Sequence, residues 1–111
     1  MSKGYYDPSH LASFGVIGDS RPELAEKFFA YYEAVMGDGS LTRREKALIA
    51  LGVSHAVQCP YCIEAYTKNS LEAGADLEQM TEAVHVATAI RGGASLVHGM
   101  QMRAHHDDLS M

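Results

Sequence analysis

The chain has 111 residues, 47% hydrophobic and 21% charged, with a formal net charge of −5. These values predict one globular domain with one core, and the negative charge argues against a nucleic-acid partner. No apolar run approaches the roughly eighteen residues of a spanning helix, and the first residues lack the apolar core of a secretion signal. The sequence therefore predicts a cytoplasmic protein with no membrane partner.

The first third of the chain divides into an arm and a helix. Residues 1–19 contain many turn-forming residues and are predicted to be an N-terminal arm without a long regular element. Ser20 is predicted to cap the first long helix, which has Pro22 in its first turn. Apolar residues then recur at spacings of three and four until Gly37 ends the helix.

Two further helices are predicted on either side of the cysteines. Thr42 and Glu45 form a capping-box pattern, in which each side chain satisfies a backbone N–H of the other residue, and they begin the second helix. A proline suits the first position of a helix because that position needs no N–H. Pro60 therefore begins the third helix, with Cys59 near its cap, and Gly74 ends it.

The fourth predicted helix completes an all-α fold. Asp76 and Gln79 form a second capping box, and the apolar residues that follow are spaced for one buried face. Those residues are Met80, Val84, Ala87, Ile90 and Val97. Adjacent glycines at 92–93 indicate a close backbone approach, a bend or a break in the helix, because each costs about 1 kcal/mol relative to alanine. We predict a single-domain, oligomeric helical bundle over residues 20–104, followed by a polar tail at 105–111 that frays.

Cys59 and Cys62 form a C-x-x-C motif in the first turn of the third helix. Unpaired N–H groups and the positive end of the helix dipole stabilise a thiolate there and can lower its pKa. The first sulfur can then attack, and the second can resolve. In a reducing compartment such a pair is more often catalytic or metal-binding than structural.

A longer pattern surrounds this motif. The segments 45–55, 59–62 and 71–75 occur in an order that resembles the AhpD-like alkylhydroperoxidase core of the carboxymuconolactone decarboxylase superfamily. The resemblance covers roughly residues 20–102. In addition, the tyrosine-rich start and the segment 90–101 resemble small peroxidase-like proteins associated with arsenosugar biosynthesis.

The resemblance implies a function and a site. It implies an all-helical subunit that forms trimers or hexamers and uses no bound cofactor. Its dithiol reduces a small hydroperoxide and is recycled by an external thiol or disulfide reductant. Cys62 matches the attacking cysteine of the family, and Cys59 matches the resolving cysteine.

Two positions depart from the family pattern. The family's proton-relay histidine, four residues after the second cysteine, is Tyr66 here, and the relay glutamate is Ala47. A phenol has a pKa of about 10 and is a poor base at neutral pH, although it can donate a hydrogen bond. Glu45 is interpreted mainly as a helix cap. His55, four residues before Cys59, becomes the candidate replacement if the two helices are nearly continuous.

Two other functions stay open at this point. A lyase resembling carboxymuconolactone decarboxylase would act on a lactone and would need no dithiol cycle. A non-enzymatic partner could bind a metal or metalloid, since paired thiolates suit a thiophilic ion. A zinc site needs about four ligands, so His55, His85, His98 or a second subunit would have to complete it.

Overall fold

A computed structural model describes residues 6–111, and within this range the chain is helical and contains no strand. The elements are α1 (Ser9–Ala12), a 3₁₀ helix (Phe14–Asp19), α2 (Pro22–Met36), α3 (Arg43–Ala56), α4 (Pro60–Glu72) and α5 (Leu77–Leu109). The all-α prediction is confirmed. None of these helices is both long and apolar enough to cross a membrane. The first five residues of the predicted arm lie outside the described residues.

Local capping signals set the starts of the last three helices. The Glu45 N–H donates to Thr42 Oγ1 at 3.1 Å, and the Thr42 N–H donates to Glu45 Oε1 at 2.7 Å. Asp76 and Gln79 form the same reciprocal pair, at 2.8 and 3.0 Å. Both predicted capping boxes are confirmed. Cys59 is the N-cap of α4, as the sequence predicted.

The start of α2 differs from the prediction. Its N-cap is Arg21 rather than Ser20, and the cap makes no side-chain hydrogen bond. Pro22 explains this shift, because a proline drives the residue before it out of the helical region. Arg21 accordingly has φ −143° and ψ 74°. The end of α2 at Gly37 is confirmed.

The core forms where α3 packs against both α4 and α5. Its buried cluster consists of Leu51, Tyr66, Ala75 and Met80. Gly52 lets α3 and α5 approach closely, because a Cβ atom at this position would lie 3.1 Å from the Ala83 carbonyl oxygen. Cys62 packs against this core as a half-buried residue.

The structure differs from three predictions about the second half of α5. The helix continues without interruption through the glycines at 92–93, and it continues to Leu109 where a frayed tail was predicted. The cost of two glycines is small against the hydrogen bonds of a 33-residue helix. The predicted buried face also ends early, since Ile90 and Val97 are 69% and 64% exposed. Within the described chain, α5 packs on α3 only through its N-terminal half.

Candidate active site

One cavity of about 530 Å³ contains both cysteines. It lies between the N-terminal segment, α2 and the first turns of α4. Its walls are mostly aromatic and apolar, and the residues other than the cysteines are His10, Leu11, Phe14, Phe28, Phe29, Tyr32, Tyr61, Ala65 and Tyr66. A cavity of this size and lining suits a small, largely apolar ligand.

The two sulfur atoms lie together at the N-terminus of α4. Cys59 Sγ and Cys62 Sγ are 2.6 Å apart, and both cysteines are free thiols. The Cys62 N–H also donates to Cys59 Sγ at 3.3 Å. A disulfide has a sulfur–sulfur distance of about 2.05 Å, so the pair can close with a small movement of the side chains.

The turn between α3 and α4 fixes the position of this pair. Gln58 is in the left-handed region, with φ 57°, a conformation that is uncommon for a residue other than glycine. The Cys59 N–H then donates to the Ser54 carbonyl oxygen at 3.0 Å, and the Ile63 N–H donates to the Cys59 carbonyl oxygen at 2.9 Å. Cys59 is therefore anchored to the end of α3 by a backbone hydrogen bond, and the first turn of α4 begins from it.

The electrostatics of Cys62 correct the expectation of a lowered pKa in the first turn. Burial first, and then the adjacent Cys59 side chain, raise the pKa of Cys62 to about 11. The backbone of Cys62 and the Ser54 side chain act in the opposite direction and are outweighed. Cys62 is consequently a thiol at neutral pH, and its proton has to leave when the sulfur reacts.

Ser54 and Tyr32 are neighbours of Cys62 that the sequence did not reveal. Ser54 is buried, and its hydroxyl interacts with the Cys62 thiol. The same hydroxyl donates its proton to the Ala50 carbonyl oxygen at 2.6 Å, and its interaction with Cys62 lowers the pKa of that thiol against the larger effects of burial and Cys59. Burial and the nearby Cys62 raise the pKa of Tyr32. Neither residue belongs to a recognisable motif, so only tertiary packing could identify them.

Tyr66 and His55, the two predicted partners of the cysteines, lie in different places. Tyr66 is 7% exposed, belongs to the core cluster and lines the cysteine cavity. His55 does not line this cavity, and its Nδ1 is hydrogen-bonded to the Leu51 carbonyl oxygen at 2.8 Å. The structure therefore brings Tyr66, but not His55, to the cavity of the cysteines.

The remaining polar candidates lie away from the sulfur atoms. Ala47, at the relay-glutamate position, lines a separate hollow, and Glu45 serves as the predicted cap. His85 and His98 are exposed on α5. No group of three or more His, Cys, Asp or Glu side chains that could hold a metal occurs among residues 6–111.

His10 is the imidazole that sequence reasoning missed. It comes from the predicted arm, yet it lines the cysteine cavity, and its Nδ1 lies 3.3 Å from the Tyr61 hydroxyl. The two residues are 51 positions apart, so no local pattern could connect them. The arm is therefore part of the candidate site.

Comparison with known proteins assigns the family. The model of the carboxymuconolactone decarboxylase family matches residues 22–102. The chain belongs to the carboxymuconolactone decarboxylase family. The resemblance drawn from the order of motifs is thus confirmed, and the match covers α2 to α4 and most of α5.

Two similar proteins are named as uncharacterized. The chain is 36% identical over 102 residues to "Uncharacterized protein 4 in cox locus" of Paracoccus denitrificans, covering 92% of each chain. It is 28% identical over 97 residues to an uncharacterized protein of Cupriavidus necator, covering 87% of this chain and 86% of that one.

Solved structures share the fold. A crystal structure of a protein from Methanobacterium thermoautotrophicum superposes with a TM-score of 0.72 at 38% identity, covering 76% of this chain and 94% of that chain. The apo crystal structure of a carboxymuconolactone decarboxylase family protein from Legionella pneumophila gives a TM-score of 0.67 at 29% identity. This match covers 82% of our chain and 86% of the Legionella chain.

Proposed function

We propose that the chain is a thiol-dependent alkyl hydroperoxide reductase that cycles between a dithiol and a disulfide at Cys59 and Cys62. Family membership supports an AhpD-like protein. The observation that carries the proposal is the 2.6 Å distance between two free sulfur atoms inside an aromatic cavity of about 530 Å³. This places two thiols within bonding reach of each other and of a small organic ligand.

In the proposed cycle Cys62 attacks and Cys59 resolves. Cys62 is half-buried against the core and lies beside Ser54, Tyr32 and Cys59, so an intermediate on its sulfur would be partly shielded from solvent. Attack on the peroxide yields a sulfenic acid on Cys62 and releases an alcohol. Cys59 then condenses with the sulfenic acid to form a disulfide and water. Tyr66, on the wall of the cavity, donates a hydrogen bond to the bound peroxide.

A thiol count by intact mass tests the proposal. Fully reduced, metal-stripped protein should lose two hydrogen atoms per chain after one equivalent of cumene hydroperoxide, because one intramolecular disulfide forms. Cumyl alcohol under the same conditions should leave the mass unchanged. In the Cys59→Ser variant the same treatment should instead add one oxygen to Cys62, since no thiol is left to resolve the sulfenic acid.

The same measurement separates the other functions. Unchanged thiols after hydroperoxide would overturn peroxide reduction and leave the lyase and metal-binding functions. Oxygen addition to Cys59 in a Cys62→Ser variant, with an inert Cys62 in the Cys59→Ser variant, would reverse the roles of the two cysteines. Titration with zinc or arsenite then distinguishes a thiolate binding protein from a lyase.

The partners of this activity are also proposals. The disulfide has to be reduced again by an external thiol or dithiol, and this requirement fits a reducing cytoplasm. The chain itself is proposed to form a homo-oligomer, a trimer or hexamer. Large apolar side chains on the unpacked half of α5 support it, since Leu96 is 82% exposed and Met100 is 64% exposed.

Sedimentation equilibrium checks self-association. The wild type should sediment at a multiple of 12.1 kDa, and Leu96→Lys should reduce the apparent mass toward that of one chain, because a buried charge would oppose the contact. Gln101→Lys, an exposed polar position on the same helix, is the matched control. A wild type of about 12.1 kDa at every concentration would contradict the oligomer.

A further inference from the structure

The segment before α2 forms one wall of the cysteine cavity. Leu11 of α1 and Phe14 of the 3₁₀ helix line the cavity together with both cysteines. The ring of Phe14 packs edge to face against Phe29 of α2, with the ring centroids 5.3 Å apart. The segment is therefore packed onto the domain at the site itself.

A second set of contacts holds this segment against α4. The Tyr6 hydroxyl donates a hydrogen bond to the Glu64 carboxylate, and the Tyr6 ring packs edge to face on Tyr61 at 4.8 Å. Tyr61 lies between the two cysteines in the sequence and lines their cavity. These contacts bring residues 6–10 to the N-terminal turns of α4.

Three side chains, those of Asp7, His10 and Tyr61, form a row that leads into the cavity. Asp7 Oδ2 lies 3.8 Å from His10 Nε2, and His10 Nδ1 lies 3.3 Å from the Tyr61 hydroxyl. Asp7 is fixed in turn, because its Oδ1 accepts hydrogen bonds from the Ser9 N–H and hydroxyl. The carboxylate favours a proton on Nε2, which leaves Nδ1 free to accept a proton from Tyr61.

The proposed reaction at Cys62 needs a group in the cavity that accepts and returns a proton. Cys62 is a thiol at neutral pH, and apart from His10 the other ionisable residues of the cavity wall are Cys59 and tyrosines. An imidazole is the side chain best suited to accept and return a proton near neutral pH. His10 is the imidazole on the wall of this cavity, whereas His55 lies outside it.

We propose that the N-terminal segment supplies the proton-transfer group of the dithiol cycle, with His10 acting through the Tyr61 hydroxyl and oriented by Asp7. This inference rests on the proposed peroxide reduction. It assigns a function to a segment that lies outside the matched family region of residues 22–102.

The proposed step balances in protons and electrons. Tyr61 takes the proton of the Cys62 thiol as it donates its own proton to His10 Nδ1. A bond forms between the Cys62 sulfur and one peroxide oxygen while the oxygen–oxygen bond breaks, so that the sulfur loses two electrons and the hydroperoxide gains two. The proton held by His10 then returns through Tyr61 to the departing alkoxide, which leaves as an alcohol.

Several other ionisable groups lie close to Asp7, His10 and Tyr61 and bear on the pH dependence of the proton transfer. Tyr6 and Glu64 flank these residues, and their hydrogen bond raises the pKa of Tyr6 to about 12. Cys59 also contributes to that shift. The hydrogen bonds from Ser9 lower the pKa of Asp7, so Asp7 is a carboxylate throughout the neutral range. Neither Tyr6 nor Asp7 therefore changes its protonation near neutral pH, and neither contributes a pH dependence there.

A single-turnover experiment with cumene hydroperoxide tests the proposal. Disulfide formation in the reduced full chain is followed by acid quench and intact mass between about pH 5.5 and 8. His10→Ala should react about 10- to 100-fold more slowly than wild type, within the usual contribution of a proton-transfer group. Added imidazole should restore part of the rate and should leave wild type unchanged. His105→Ala, on the exposed end of α5, should react like wild type.

The outcomes distinguish a failure of the proposed peroxide reduction from a failure of the proposed role of His10. A wild type that forms no disulfide overturns the proposed function, whereas a reactive wild type with a fully active His10→Ala overturns only the role of His10. A slow His10→Ala that imidazole does not rescue, and that keeps the wild-type pH profile, also overturns proton transfer and leaves a packing role. Asp7→Asn retains the acceptor for Ser9 and should lower the rate less than His10→Ala. An unchanged rate in this variant would show that Asp7 takes no part in the proton transfer.

Discussion

Alkylation of Cys62 in a Cys59→Ser variant should accelerate about tenfold for each pH unit between about pH 7 and 9. Only the thiolate reacts with iodoacetamide, and burial, the largest cause of the raised pKa of Cys62, remains in this variant. Below its pKa, a thiol gains thiolate tenfold per pH unit, so the rate should not level off in this range. The measurement is the loss of free thiol with time at each pH.

The unfolded variant provides the matched control. In urea the same cysteine is solvated, and its alkylation rate should level off near the ordinary cysteine pKa of about 8.5. At about pH 7 the folded protein should react roughly 100-fold more slowly than the unfolded one, because its thiolate fraction is correspondingly smaller. A folded variant that reacts as fast as the unfolded one at neutral pH would contradict the raised pKa.

Leu51→Ala should lower the free energy of unfolding by about 2–5 kcal/mol. Leu51 is 2% exposed and packs in the cluster with Tyr66 and Met80, so its truncation leaves a cavity at the junction of α3, α4 and α5. This loss is a large fraction of the total stability of a small domain, which is about 5–15 kcal/mol. Urea denaturation at fixed protein concentration measures it.

Leu77→Ala makes the same chemical change on the surface. Leu77 is 76% exposed at the start of α5, and its truncation should change the free energy of unfolding by less than about 0.5 kcal/mol. Equal losses in the two variants would contradict the assignment of the core to the α3, α4 and α5 junction.

Features decided within a few residues could be predicted from the sequence. The capping boxes at Thr42 and Asp76 and the cap at Cys59 depend on side chains one turn away, and all three are confirmed. The predicted start of α2 is wrong, and the reason is equally local. The restriction that Pro22 places on the preceding residue outweighs the capping preference of Ser20.

Features decided by packing could not be predicted in this way. The spacing of Ile90 and Val97 indicates an apolar face, but spacing alone does not say whether another helix of the same chain covers it. The direction of the Cys62 pKa shift depends on burial against the core, which a motif does not contain. His10 likewise reaches the cavity through contacts across 51 positions of sequence.

The position of the cysteines within a single helical turn has a consequence for the thermodynamics of oxidation. A disulfide between Cys59 and Cys62 would close a ring of four residues, whereas the stabilisation from loop closure grows with ring size. The entropic model gives about 2 kcal/mol for so short a ring, against about 4.7 kcal/mol for a ring of about 100 residues. A ring of this size therefore adds little constraint to the unfolded chain. Oxidation would thus stabilise the fold only modestly, and an incoming thiol could reopen the ring without having to unfold the protein.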